Sequence, residues 1–303
     1  SIGSHTFDQC KSLNEIIIPE SVKSIGDYAF CGCSSLSKIT LLCQIKIIST
    51  YTFVNCKALI NIEIPNSVEK IGSYSFSYCS NLKQIKIPSS VTIIEDNAFD
   101  SCSSLSEIVI PKSVDEIYSD AFVSCKNLEK VTINPFKTTL RDNPFNECKK
   151  LTYLVLPNDV STTKDLNKYQ IVKNVKKIGI PPSVSIIEPH SFQDLKLLVE
   201  IEIPESVTEI GSFAFSGCSS LKKVKLPYSL ILIGESAFNE CTSLNKVYIP
   251  EHVETIEKNA FFNCNSLSEA VIASRATSIL ANAFNCTDFC FEVKAESAKP
   301  RKH

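Results

Sequence analysis

The chain has 303 residues, 31 of them basic and 33 acidic, for a formal net charge of -2. That balance leaves no basic run to attract nucleic acid or a membrane surface. Apolar residues never reach the roughly 18 in succession of a spanning helix, and the amino terminus lacks the charged and apolar regions of a signal peptide.

The first complete element sets the pattern for the rest. Leu13 leads into Ile16 and Ile18, which point inward at a period of two with Glu15 and Ile17 outward; this predicts a short strand that Pro19 closes by withholding an N–H. Ser21, Val22, Ile25, Gly26, Ala29 and Phe30 follow at spacings that fit no long helix, so short extended pieces and turns are expected, with Val22, Ile25, Ala29 and Phe30 buried. Ser21 and its equivalents at 67, 90, 113, 183 and 206 are placed to cap backbone groups at the turn.

The unit then repeats at a 23-residue step. Phe7/Cys10, Phe30/Cys33, Phe53/Cys56, Phe76/Cys79, Phe99/Cys102, Phe122/Cys125 and Phe145/Cys148 mark seven coils, and Phe192, Phe215, Phe238, Phe261 and Phe284 mark five more. Residues 158–180 lack both Phe and Cys and form a degenerate, irregular coil, anchored by Tyr169, Val172 and Val175. About thirteen coils result, the first and last incomplete. Such an array predicts a single solenoid over 1–303, because each unit is too small to bury its own apolar face and stacks on its neighbours. Identical strands one coil apart pair in parallel and in register, giving one long sheet with little helix. Residues 296–303 read as a disordered tail. The start at Ile2-Gly3, in mid-repeat, reads as an excised fragment or a mature form whose leader is missing.

Ten of the fourteen cysteines occupy one repeat position. Ladder neighbours about 4.8 Å apart have parallel Cβ vectors, which do not converge as a disulfide needs, so free buried thiols are expected. Cys31/Cys33 and Cys286/Cys290 have no second ligand pair, which argues against zinc. Cys31, Cys43, Cys286 and Cys290, off the ladder, are the candidates for reactivity or a terminal cross-link. No Ser/His/Asp order, HExxH, Walker loop or GxGxxG occurs, and eight glycines leave little for a phosphate cradle. No catalytic, cofactor or metal residue is assigned. His5 and His190 share the position two before Phe and read as surface residues.

The outward strand positions form two columns. Opposite charges one coil apart, as in Glu63/Lys86, Lys177/Glu200/Lys223 and Glu202/Lys225, read as a solvated, charge-paired sheet. The alternative is a protein-binding patch, with aromatic and aliphatic anchors ringed by charge. Its candidates are Tyr153, Val155, Lys177, Lys223, Lys225 and Tyr248, beside the lysine-rich irregular coil.

The string Leu-x-x-Ile-x-Ile-Pro-x-Ser-Val-x-x-Ile-Gly-x-x-Ala-Phe-x-x-Cys resembles the 23-residue leucine-rich repeat of the BspA-like class, found on surface proteins of mucosal bacteria and protist parasites. The resemblance implies a right-handed solenoid with its parallel sheet on the concave side. It also implies adhesion to host-cell or matrix proteins from a cell-surface or secreted location. A cytosolic interaction scaffold, suggested by the thiol ladder, is the alternative.

Overall fold

The period-two geometry of a strand produces alternating inner and outer faces where they are expected. Ile18 is 2% exposed and Ile17 66% exposed, two faces of one four-residue strand, Glu15–Ile18. The computed structural model describes residues 1–134, 136–164, 166–168, 173–273, 278–285 and 294–295. The chain divides into two compact units, Ser1–Thr152 and Tyr153–His303, each a parallel β-solenoid.

Two parallel ladders run through each unit. In the first unit, Glu15–Ile18 pairs with Lys38–Leu41, and Glu107–Val109 with Lys130–Thr132, both in register. The expected single long sheet is interrupted there: within this ladder, the only contact among described residues between these pairs is the bridge Glu63↔Lys86. Asn61, a residue poor in strand propensity, takes an outward position in the first of the two coils concerned. In the second unit, Tyr153–Val155, Lys177–Gly179, Glu200–Glu202 and Lys223–Lys225 form a continuous ladder. Lys246–Ile249 and Glu269–Ile272 begin another. The extended pieces beyond the proline turns form the second ladder, built of two-residue strands such as Lys70–Ile71 and Ile93–Ile94 in the first unit and Glu209–Ile210 and Leu232–Ile233 in the second.

A run of alternating turns closes each coil. Ala29 N–H donates to Gly26 O and Cys33 N–H to Phe30 O, with φ of 58° at Tyr28 and 68° at Gly32, so both turns are type II. The φ > 0 position recurs two before and two after Phe, filled by Asn97, Asp120, Asn259, Asn55 and Ser101 among others. Alternate residues also donate to the next coil: Tyr28, Phe30 and Gly32 N–H reach the carbonyls of 50, 52 and 54.

The anchors stack in the interior. Phe30, Phe53, Phe76, Phe99 and Phe122 are wholly buried, with successive rings 5.0–5.5 Å apart in the first unit. Phe192, Phe215, Phe238 and Phe261 repeat the arrangement in the second. The ladder cysteines are free and, apart from the half-buried Cys10, buried. Their thiols have a definite role: Cys79 Sγ donates to Phe53 O at 3.2 Å and Cys241 Sγ to Phe215 O at 3.2 Å, so each thiol satisfies a carbonyl two Phe anchors away from its own coil's successor, 26 residues back.

The turn serines cap backbone carbonyls, and the carbonyls belong to the preceding coil. Ser67 Oγ donates to Ile45 O, Ser90 to Val68 O and Ser206 to Val184 O, each 22 residues back, so they tie neighbouring coils together. In the irregular coil, Thr163 takes over a backbone role. Its wholly buried Oγ1 accepts from Glu188 N–H at 3.0 Å and meets Ser191 Oγ at 2.8 Å. Val175 is buried there, whereas Tyr169 and Val172 lie outside the described residues, as do Cys286, Cys290 and the tail 296–303.

Candidate functional site

Leu154, Ile178 and Ile201 point into the second unit and are nearly or wholly buried, which fixes their flanking residues outward. Parallel in-register pairing then builds the two columns. One reads Tyr153, Lys177, Glu200, Lys223; the other reads Val155, Gly179, Glu202, Lys225. Five of the six candidate residues therefore share one ladder. Tyr248, 43% exposed, stands on the separate ladder of Lys246–Ile249.

Tyr153 is the focus of this surface. A Cβ placed on Gly179 would lie 3.1 Å from the Tyr153 hydroxyl and 3.6 Å from Val155 Cγ1, so the tyrosine ring occupies space that the glycine leaves open. Lys177 Nζ lies 5.4 Å from the ring centroid, within cation–π range. The same ammonium pairs with Glu200 at 2.9 Å, and that hydrogen bond raises the Lys177 pKa and lowers that of Glu200. Lys225 pairs with Glu202, which raises its pKa in the same way. All four charged groups are substantially exposed, so solvent screens both pairs and they add little to stability. Sequence reasoning named the tyrosine and the lysines but missed Gly179; the signal was a lone glycine in a strand pattern, which marks close approach.

The first unit carries an open groove of about 880 Å³ on its strand face, lined by Asn61, Glu63, Gln84, Lys86, Glu107 and Val109 among others. No His, Cys or Ser lines it, and its charged groups are Glu63, Lys86 and Glu107. Cys31, half-buried, is pushed up to about 11 by burial and then by its hydrogen bond with Asp8, the opposite of an activated thiol. His5 bonds Asp8 at 2.8 Å and His190 bonds Gln193 at 2.8 Å. Among the described residues, no cluster of three or more His, Cys, Asp or Glu is arranged to hold a metal ion, and no helix is long and apolar enough to cross a membrane.

A model of the BspA-type leucine-rich repeat region matches residues 1–128, 70–170 and 166–290. The crystal structure of a leucine-rich repeat protein from Bacteroides ovatus ATCC 8483 is 32% identical, covering 94% of this chain and 79% of that one, with a TM-score of 0.51. A leucine-rich cell surface protein from Faecalibacterium prausnitzii A2-165 is 26% identical, covering 95% of this chain and 80% of that one, with a TM-score of 0.39. The pneumococcal vaccine antigen PcpA is 21% identical over 88% and 79% of the two chains, with a TM-score of 0.39. No curated protein matches the sequence.

Proposed function

Because the chain belongs to the BspA-type leucine-rich-repeat family, we propose that it is a non-catalytic protein-binding module of a surface or secreted protein, one that attaches to host-cell or matrix proteins through the strand face of its second unit. The observation that carries this reading is Tyr153, held over Gly179 beside Lys177 in an otherwise charge-paired sheet. Charge pairing alone needs no aromatic there, and a glycine kept beneath the ring is a cost to the strand. An aromatic anchor with a charged rim concentrates binding energy at interfaces.

Beads coated with the purified chain test the reading. They are expected to adhere saturably to epithelial cells or immobilised matrix proteins, with excess soluble chain competing. Adhesion no greater than that of beads coated with a heat-denatured sample would overturn it.

A further inference from the structure

The position two before Phe adopts φ of 55–60° in most coils, a conformation suited to Gly, Asn or Asp. Coils that use Asn97, Asp120 and Asn259 meet that demand directly. Three successive coils of the first unit instead place a tyrosine there: Tyr28, Tyr51 and Tyr74, at 58°, 57° and 55°. A bulky aromatic is disfavoured in this region, and such residues cluster where function retains them. Their rings form a column on the turn face, with His5 4.7 Å from Tyr28, Tyr28 4.6 Å from Tyr51, and Tyr51 4.7 Å from Tyr74. The column ends at Tyr74, because Asn97 and Asp120 take the position in the next two coils. Tyr78, half exposed, stands four residues further along the same turn run.

The charge on this face is one-sided. From three residues before to two after each Phe, the coils of Phe7 to Phe145 hold seven carboxylates, one each at Phe7, Phe30 and Phe122 and two each at Phe99 and Phe145, with no Lys or Arg. Just outside that strip Lys70 pairs with Glu95 and Arg141 with Glu116, so those cations are matched by their own carboxylates; of the seven, Glu147 is matched by Lys149 and Asp8 bonds His5. Asp100 accepts hydrogen bonds from the neutral hydroxyls of Ser77 and Ser101. Tyr74 N–H donates to Asp96 O at 3.0 Å and Tyr78 N–H to Asp100 O at 2.8 Å, which sets both aspartates in the coil next to the end of the column; burial, then Tyr51, then Asp100, Asp96 and Asp120 raise the Tyr74 pKa. The unit already shows an arginine on a tyrosine, Arg141 over Tyr118 at 4.9 Å.

We propose that the turn face of the first unit, where the column Tyr28–Tyr51–Tyr74 ends among Asp96, Asp100 and Asp120, docks an arginine- and lysine-rich segment of a partner protein. The guanidinium groups pair with the carboxylates and lie against the tyrosines, an arrangement that rewards both charge and aromatic surface.

Fluorescently labelled nona-arginine, read by anisotropy at 0.15 M salt, is the probe. The wild-type chain is expected to bind it, and the Tyr28→Asn/Tyr51→Asn/Tyr74→Asn variant to bind at least tenfold more weakly. That variant keeps every charge and installs the residue that Asn97 and Asn259 already provide, so its melting temperature is expected to stay or rise. Asp96→Asn/Asp100→Asn/Asp120→Asn is expected to weaken binding by a similar factor. Equal binding by the tyrosine variant and wild type would reduce the effect to net acidity and overturn the proposal, as would failure of the wild type to bind. Tyr153→Ala with Lys177→Glu leaves this binding unchanged if the two faces act independently, whereas loss in that variant would place the site elsewhere and overturn the proposal.

Discussion

Each Phe anchor fills a slot between its neighbours, and the buried stack shows how much rides on one side chain. Phe99 lies 5.3 Å from Phe76 and 5.0 Å from Phe122 by ring centroid and is wholly buried. Phe99→Ala is expected to cost about 3–5 kcal/mol in a denaturant titration, and an unchanged midpoint would place the ring outside the core. The thiols give a pH signature. Burial pushes Cys79 and Cys218 up to about 12. A thiol whose folded pKa exceeds its unfolded value favours the folded state fully below the unfolded pKa, near 9, and that contribution is lost as pH rises toward 12. Stability is therefore expected to fall from about pH 9 upward, and Cys79→Ala with Cys218→Ala is expected to flatten that fall in melts taken from pH 8 to 11. The buried Phe and Cys were legible in the sequence because a fixed step repeats them. The left-handed backbone flanking each Phe was not, since Tyr28, Tyr51 and Tyr74 conceal a position that Asn97 or Gly32 would have announced.

At the scale of the strand and turn, proline and alternation gave the main ladder, while its break between Lys38–Leu41 and Glu107–Val109 went unseen because those coils keep the same apolar spacing. The second ladder was expected only as extended pieces; its two-residue strands are too short to carry a period of their own. The irregular coil shows a side chain substituting for lost regularity. Thr163→Val removes the acceptor for the Glu188 N–H and is expected to cost about 1–3 kcal/mol, with Thr163→Ser restoring most of it; equal melting curves for both variants would mean the hydroxyl is dispensable. Gly179→Val tests the strand beneath the tyrosine. The added carbons collide with the Tyr153 hydroxyl, so partner binding is expected to weaken while the melting temperature stays within a few degrees. Unchanged binding would show that the ring's seat is irrelevant.

For the whole chain, the repeat specified family and interior more fully than surface. Inward positions are constrained by stacking, whereas Tyr153, Lys177 and Tyr248 occupy outward positions that any soluble residue satisfies, so their part in binding leaves no periodic trace. The neighbourhood of Tyr153 became readable only when in-register pairing set it against Lys177 and Val155 against Gly179. The measurement that bears most directly on the proposed binding face is the isotherm of the purified chain on epithelial cells, wild type against Tyr153→Ala with Lys177→Glu, at matched melting temperature. Loss of an anchor and reversal of its neighbouring charge are expected to remove at least about 2 kcal/mol, close to thirtyfold in Kd. Superimposable isotherms for the two proteins would contradict the account.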